Sequence, residues 1–133
     1  MESVEPHVRR RMSLTRRRDT RPEWAVRRIL HGRGLRYRVD CRPVSEIRRT
    51  GDIVFVGKRV AVLIDGCFWH GCPQHFVVPK TRTAWWLNKI QDNRARDLET
   101  SSLWSEAGWT VLRFWEHEDP EAVADRIEAT VRR

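Results

Sequence analysis

Asp52-Ile53-Val54-Phe55-Val56, then Gly57-Lys58, then Arg59-Val60-Ala61-Val62-Leu63-Ile64-Asp65 is the stretch on which the fold turns. Two apolar, largely β-branched runs about a short glycine-containing turn are the pattern of an antiparallel hairpin. With Gly57-Lys58 as the loop, Val56 faces Arg59 and, counting back, Asp52 faces Leu63. Asp65, two residues beyond Leu63, then lies on the same sheet face as Asp52, because strand side chains alternate with period two. Diagonal neighbours of this kind sit ~7–8 Å apart at the backbone, near enough for two carboxylates to grip one hydrated divalent cation. Two like charges buried side by side without a cation would be costly.

Working outward toward the N-terminus, Leu35, Tyr37 and Val39 alternate with charged residues, as a half-buried first strand would. Before them, Thr20-Arg21-Pro22-Glu23 satisfies a capping box, with Thr20 at the N-cap, Pro22 in the first turn and Glu23 reaching back to the cap. Trp24, Val26, Ile29 and Leu30 supply that helix with an apolar stripe, and Gly32 and Gly34 stop it. In the other direction, Arg82 to Ala107 reads as a long helix ended by Gly108, with Trp86, Ile90, Leu98 and Leu103 as its inner face. Trp109 to Trp115 is a further β segment, and Asp119-Pro120 starts a terminal helix through an Asp cap with Pro at its first position. Trp24, Trp104, Trp109 and Trp115 are assigned to the core. The order α-β-β-β-α-β-α describes an α/β fold, a mixed central sheet flanked by helices.

The chain has 133 residues, the size of one domain with no room for a second core, so one fold is expected to carry both binding and chemistry. Forty per cent hydrophobic against 33% charged residues excludes wholesale disorder. No apolar run is long enough to span a bilayer and no secretion signal is visible, so a cytoplasmic, nucleoid-associated protein with no membrane partner is expected. The net charge of +8 is unevenly placed: residues 1–50 hold 15 arginines against 6 acids, whereas the rest is close to neutral. Residues 1–18, with Arg9-Arg10-Arg11 and Arg16-Arg17-Arg18, read as a flexible basic arm ahead of a domain over residues 19–133. Such a segment answers a polyanion, and nucleic acid is the commonest cytosolic one. Three cysteines are too few, and odd in number, for a disulfide framework.

Cys67-x-x-x-x-Cys72-x-x-His75 puts three soft or borderline ligands into one short loop, and His117 lies just past the last β segment, where sheet pairing could return it to that loop. Four such ligands would close a tetrahedral zinc site, and a closed site is structural. Ordinary buried thiols with solvent-facing histidines remain the alternative.

The loop sits within Val62-Leu63-Ile64-Asp65-Gly66-Cys67-Phe68-Trp69-His70-Gly71-Cys72-Pro73, which resembles the signature of the very short patch repair (Vsr) DNA mismatch endonucleases. Asp19-Thr20-Arg21-Pro22-Glu23, Gly51-Asp52-Ile53-Val54-Phe55, Pro79-Lys80-Thr81-Arg82-Thr83, Trp86-Leu87-Asn88-Lys89-Ile90, Asn93-Arg94-Ala95-Arg96-Asp97, Gly108-Trp109-Thr110-Val111-Leu112 and Trp115-Glu116-His117 look like family segments in family order, from about Thr15 to Glu118. The resemblance implies a restriction-endonuclease-like fold of the PD-(D/E)XK type with a structural zinc loop. It also implies a magnesium-dependent nick 5′ of the T in a T:G mismatch left by deamination of 5-methylcytosine. Duplex DNA would be the partner, with a working link to a cytosine-5 DNA methyltransferase and to mismatch-repair proteins. Asp52 matches the metal-binding aspartate and His70 the catalytic histidine; Glu23 and Asp97 match accessory acidic positions. Phe68, Trp69 and Trp86 match an aromatic wedge pushed into the base stack, and Cys67, Cys72, His75 and His117 stand where the zinc ligands should be. Gly51 replaces a proline found in many relatives, and Ile64-Asp65 replaces a polar pair, which makes Asp65 a candidate second magnesium ligand.

Phosphodiester cleavage needs an activated water, charge neutralisation at the transition state and a stabilised leaving oxygen. Asp52 and Asp65 would hold Mg2+, His70 would be the general base, and Asp97 would orient its imidazole. Glu23 has an adequate structural job as the capping-box acid, and Trp86 could equally face the sheet. Arg16, Arg17 and Arg18 would contact DNA. A single-strand nick needs one active site, so a monomer is expected. Two rivals stay open: a strand nickase serving phage defence or restriction, and a zinc-stabilised DNA-binding module without activity. Clustered carboxylates beside a polyanion argue against the second.

Overall fold

The computed structural model describes residues 21–67, 72 and 78–133. The arm, the N-cap Thr20, and Phe68, Trp69, His70 and His75 lie outside the described residues. Among the described residues the elements run α1 (Arg21–Gly32), β1 (Arg38–Cys41), β2 (Gly51–Phe55), β3 (Val60–Asp65), α2 (Thr83–Glu106), β4 (Thr110–Trp115) and α3 (Pro120–Val131), the order expected from the sequence. The sheet is mixed, β1-β2-β3-β4, with β1–β2 and β2–β3 antiparallel and β3–β4 parallel.

The hairpin has the register its turn dictates: Ile53 opposes Val62, Val54 opposes Ala61 and Phe55 opposes Val60. Pairing stops there, one step short of Val56 and Arg59, because Arg59 takes a left-handed φ of 56° and its N–H closes the turn onto the Val56 carbonyl at 3.3 Å. Asp119 caps α3 by accepting from the Ala122 N–H at 3.0 Å, with Pro120 opening the helix, as expected.

Alternation sorts the sheet into two faces. Ile53, Phe55, Val60, Val62 and Phe114 join Val26 and Leu30 of α1 and Val123, Ala124, Ile127 and Val131 of α3 in the main core. The opposite face carries Val54 and Ala61 and then, toward one end, Asp52, Leu63, Asp65 and Arg113, and it meets α2 through Arg113, whose guanidinium bonds to Ser101 and Asp97.

Two core expectations need correcting. Trp24 is 46% exposed, its ring under the Arg27 guanidinium, and the buried side of α1 is instead Glu23, Val26 and Leu30. In α2 the buried residues are Trp86, Ile90, Thr100 and Trp104, while Leu98 is 73% exposed and Leu103 half-buried. At about 100° per residue, 86, 90, 93, 97, 100 and 104 form one stripe, and Leu98 falls about a third of a turn away. The stripe passes through Asn93, Asp97 and Thr100, so choosing apolar residues alone led off it. Trp104 is fully buried, as expected, and Trp109 and Trp115 are half-buried.

Candidate functional site

A cavity of about 320 Å³ opens between the acidic end of the sheet and the polar middle of α2. Asp52 of β2, Asp65 of β3 and Asp97 of α2 line it, together with Arg48, Arg49, Arg96 and Arg113. The hairpin register explains the first two: both lie on the face turned to α2.

The carboxylates are held differently. Asp52 Oδ2 accepts the Ile64 N–H at 2.7 Å, its one side-chain hydrogen bond among the described residues. Burial pushes its pKa up to about 7; the Ile64 bond pulls the other way, and the charges of Glu23, Asp65 and Asp40 add to the rise. Asp65 accepts from Arg113 Nη1 through both oxygens, at 3.1 and 3.1 Å. Arg113 also donates from Nε to Ser101 Oγ at 2.9 Å and from Nη2 to the Asp97 carbonyl at 2.9 Å, and Nη1 lies 3.7 Å from Asp97 Oδ1. Arg49 donates to Thr100 Oγ1 at 3.1 Å and Glu99 Oε1 at 3.0 Å, tying the segment before β2 to α2.

Glu23 is buried on α1 with Arg27 Nη1 3.5 Å away, near enough to Asp52 to raise its pKa but outside the cavity lining. Hard oxygen donors suit magnesium. A cation beside Asp52 would relieve the burial and like-charge penalty that lifts its pKa, so the residues present fit such an ion.

A second cluster lies past the ends of the parallel strands. Asp65 pairs with Trp115, and the Glu116 N–H donates to the Asp65 carbonyl at 2.9 Å, continuing the ladder toward Cys67 and His117. Cys67 N–H donates to Glu116 Oε1 at 3.2 Å, and Cys72 N–H closes the loop onto the Cys67 carbonyl at 2.8 Å. The donor atoms of Cys67, Cys72 and His117 all lie within 4.8 Å of one another, with His117 Nδ1 3.3 Å from Cys67 Sγ and 3.7 Å from Cys72 Sγ. A tetrahedral zinc with bonds of about 2.3 Å to sulfur and about 2.0 Å to nitrogen has sulfur–nitrogen edges of about 3.5 Å. The cluster therefore has the donor types and spacing of three corners of such a site. Without a cation, burial, followed by Cys72 and Glu116, pushes the Cys67 thiol up to about 11.

Trp86 is 8% exposed and carries Trp85, 44% exposed, edge-on at 4.7 Å between ring centroids. Arg82 lies over the outer ring at 4.7 Å. Arg48, Arg49, Arg96 and Arg113 of the cavity, and the exposed Trp85 beside Trp86, are residues that sequence reasoning passed over. The parallel register that sets Arg113 beside Leu63 brings it there, and no local sequence pattern marks it.

The family described as DNA mismatch endonuclease Vsr matches residues 2–76. Type II nicking enzyme V.NaeI of Lentzea aerocolonigenes is 45% identical over 124 residues, which are 92% of this chain and 73% of that protein. Type II nicking enzyme V.XorIIP of Xanthomonas oryzae pv. oryzae is 39% identical over 108 residues, 80% of this chain and 77% of that protein. DNA mismatch endonuclease Vsr of Escherichia coli is 39% identical over 100 residues, 74% of this chain and 62% of that protein. Among the described residues, no helix is long and apolar enough to cross a membrane.

Proposed function

This chain belongs to the Vsr family and is a DNA-nicking endonuclease with a restriction-endonuclease-like fold, and from that premise we propose that it cuts one strand of T:G-mismatched duplex, 5′ of the T, at the cavity between β2, β3 and α2. The observation that carries this reading is the meeting of Asp52, Asp65 and Asp97 with four arginines in one cavity. Carboxylates there suit a divalent cation, and guanidiniums suit phosphate oxygens.

Asp52 and Asp65 are the residues that would hold magnesium, which when bound supplies charge neutralisation at the scissile phosphate and acidifies water. His70 takes the proton of the attacking water, and Asp97 orients the imidazole. The water oxygen bonds to phosphorus as the bond to the leaving sugar oxygen breaks, and that oxygen takes up a proton. Arg48, Arg49 and Arg96 pair with backbone phosphates, and Arg16, Arg17 and Arg18 extend the basic surface along the duplex. Phe68 and Trp69 open the base stack, which costs least at a mismatched step. The 8% exposure of Trp86 favours Phe68 and Trp69 as the residues that enter. Cys67, Cys72, His75 and His117 hold a structural zinc that fixes the loop bearing His70. Glu23 acts through its charge on Asp52.

The test is incubation, with magnesium, of T:G, U:G and matched duplexes labelled on each strand. Cutting of the T strand alone, 5′ of the T, is expected. The relatives named Type II nicking enzymes favour a second reading, a nickase not confined to the mismatch. Equal cutting of matched duplex would select it.

A further inference from the structure

Arg113 is built into the cavity rather than resting on its rim. It stands on β4 opposite Leu63, on the face that carries Asp52 and Asp65. Its Nε bonds to Ser101, its Nη2 to the Asp97 carbonyl and its Nη1 to both oxygens of Asp65, so one planar group spans β3, β4 and α2. The two aspartates proposed as metal ligands are therefore unequal. Asp65 already has a cation against it, whereas Asp52 has a backbone N–H and a ring of acidic neighbours. Any divalent ion that touches both must settle beside a fixed guanidinium, and like charges a few ångströms apart repel.

We propose that Arg113 is a positioning residue that stands in for a divalent cation at Asp65: it keeps the acidic cavity assembled and lowers the cavity's affinity for metal. The proposal rests on the reading of Asp52 and Asp65 as metal ligands, and its consequences separate from that reading. An arginine that merely braces α2 against the sheet would, when replaced, loosen the site and weaken metal binding. One that opposes the metal electrostatically would, when neutralised, strengthen it.

The experiment is Mn2+ binding to the full chain without DNA, followed by electron paramagnetic resonance, with zinc content and circular dichroism as checks of folding. Arg113→Gln, which keeps polar reach and removes the charge, is expected to bind Mn2+ about tenfold more tightly than the parent. Arg113→Lys, which keeps the charge and loses the planar fork, is expected to stay within about twofold of the parent in affinity while nicking more slowly at saturating metal. Unchanged or weaker binding by Arg113→Gln overturns the proposal. If Arg113→Gln does not fold, Arg113→Lys decides alone, and a tenfold change in its affinity in either direction overturns the proposal. Asp52→Ala tests the underlying reading: Mn2+ uptake equal to the parent's, or no uptake by the parent itself, sinks the metal-site assignment. Loss of uptake in Asp52→Ala with no change in Arg113→Gln sinks the Arg113 proposal alone.

Discussion

The same parallel pairing of β3 with β4 produces two clusters of opposite character. On the sheet face it brings Asp65 beside Arg113, in an open cavity of hard oxygens and guanidiniums. Just past the strand ends Cys67 and Cys72, both buried, meet His117, donors with the spacing of three zinc corners. Hard carboxylate oxygens suit a site that water, phosphate and a magnesium ion can enter, whereas buried thiols need a metal to carry a charge. Two clusters of opposite donor chemistry thus share one ladder.

The sharpest way to break this contrast is to remove the soft cluster. The purified chain should hold about one zinc by metal analysis, and Cys72→Ser should lose both the zinc and the fold, because such sites contribute ~10 kcal/mol of binding-coupled folding energy. A folded, zinc-free Cys72→Ser would make the two clusters equivalent in dispensability. Next in size, Trp86→Ala should cost about 3–5 kcal/mol in denaturant unfolding, whereas the exposed Trp85→Ala should cost under about 1. Equal costs would show that the outer ring, too, belongs to the core.

The third concerns Asp52. A carboxyl raised from its ordinary value to about 7 binds its proton more tightly in the folded chain. Its protonated form therefore favours folding, an advantage present in full below the unfolded pKa of about 4, falling between about pH 4 and 7 and gone above that. Without added divalent metal, Asp52→Asn should be more stable than the parent by about 2–4 kcal/mol at pH 8 and equal to it at pH 4. A stability difference independent of pH would remove the charge penalty that sets Asp52 apart. Smallest in energy, deleting residues 1–18 should weaken duplex binding and flatten its salt dependence while leaving the melting temperature unchanged. An unchanged salt slope would leave the cavity arginines as the whole electrostatic contact.

Much of the fold was legible because it depends on local signals. The Gly57-Lys58 turn sets the hairpin register, and with it the shared face of Asp52 and Asp65, without any long-range information. The return of His117 to the cysteine loop follows from the parallel strands alone. Trp24 and Leu98 lie off the buried sides because apolar character alone does not mark them: α1 turns the buried Glu23 inward, and α2 carries the half-buried Asp97 and the buried Thr100 along its inward stripe. Polar residues on a helix's inward stripe were themselves the mark of the cavity. Arg113 was missed because its partner Asp65 lies 48 positions away, and a lone arginine in Thr110–Trp115 looks like an ordinary outward-facing strand residue.

The most direct test of the cavity as the nicking centre is the single-strand nicking rate of Asp52→Ala on labelled duplex with magnesium, beside its duplex affinity in a gel shift. Loss of nicking by about a thousandfold or more, ~4 kcal/mol of transition-state stabilisation, with affinity retained, is the expected result. Nicking at the parental rate would place the chemistry elsewhere in the molecule.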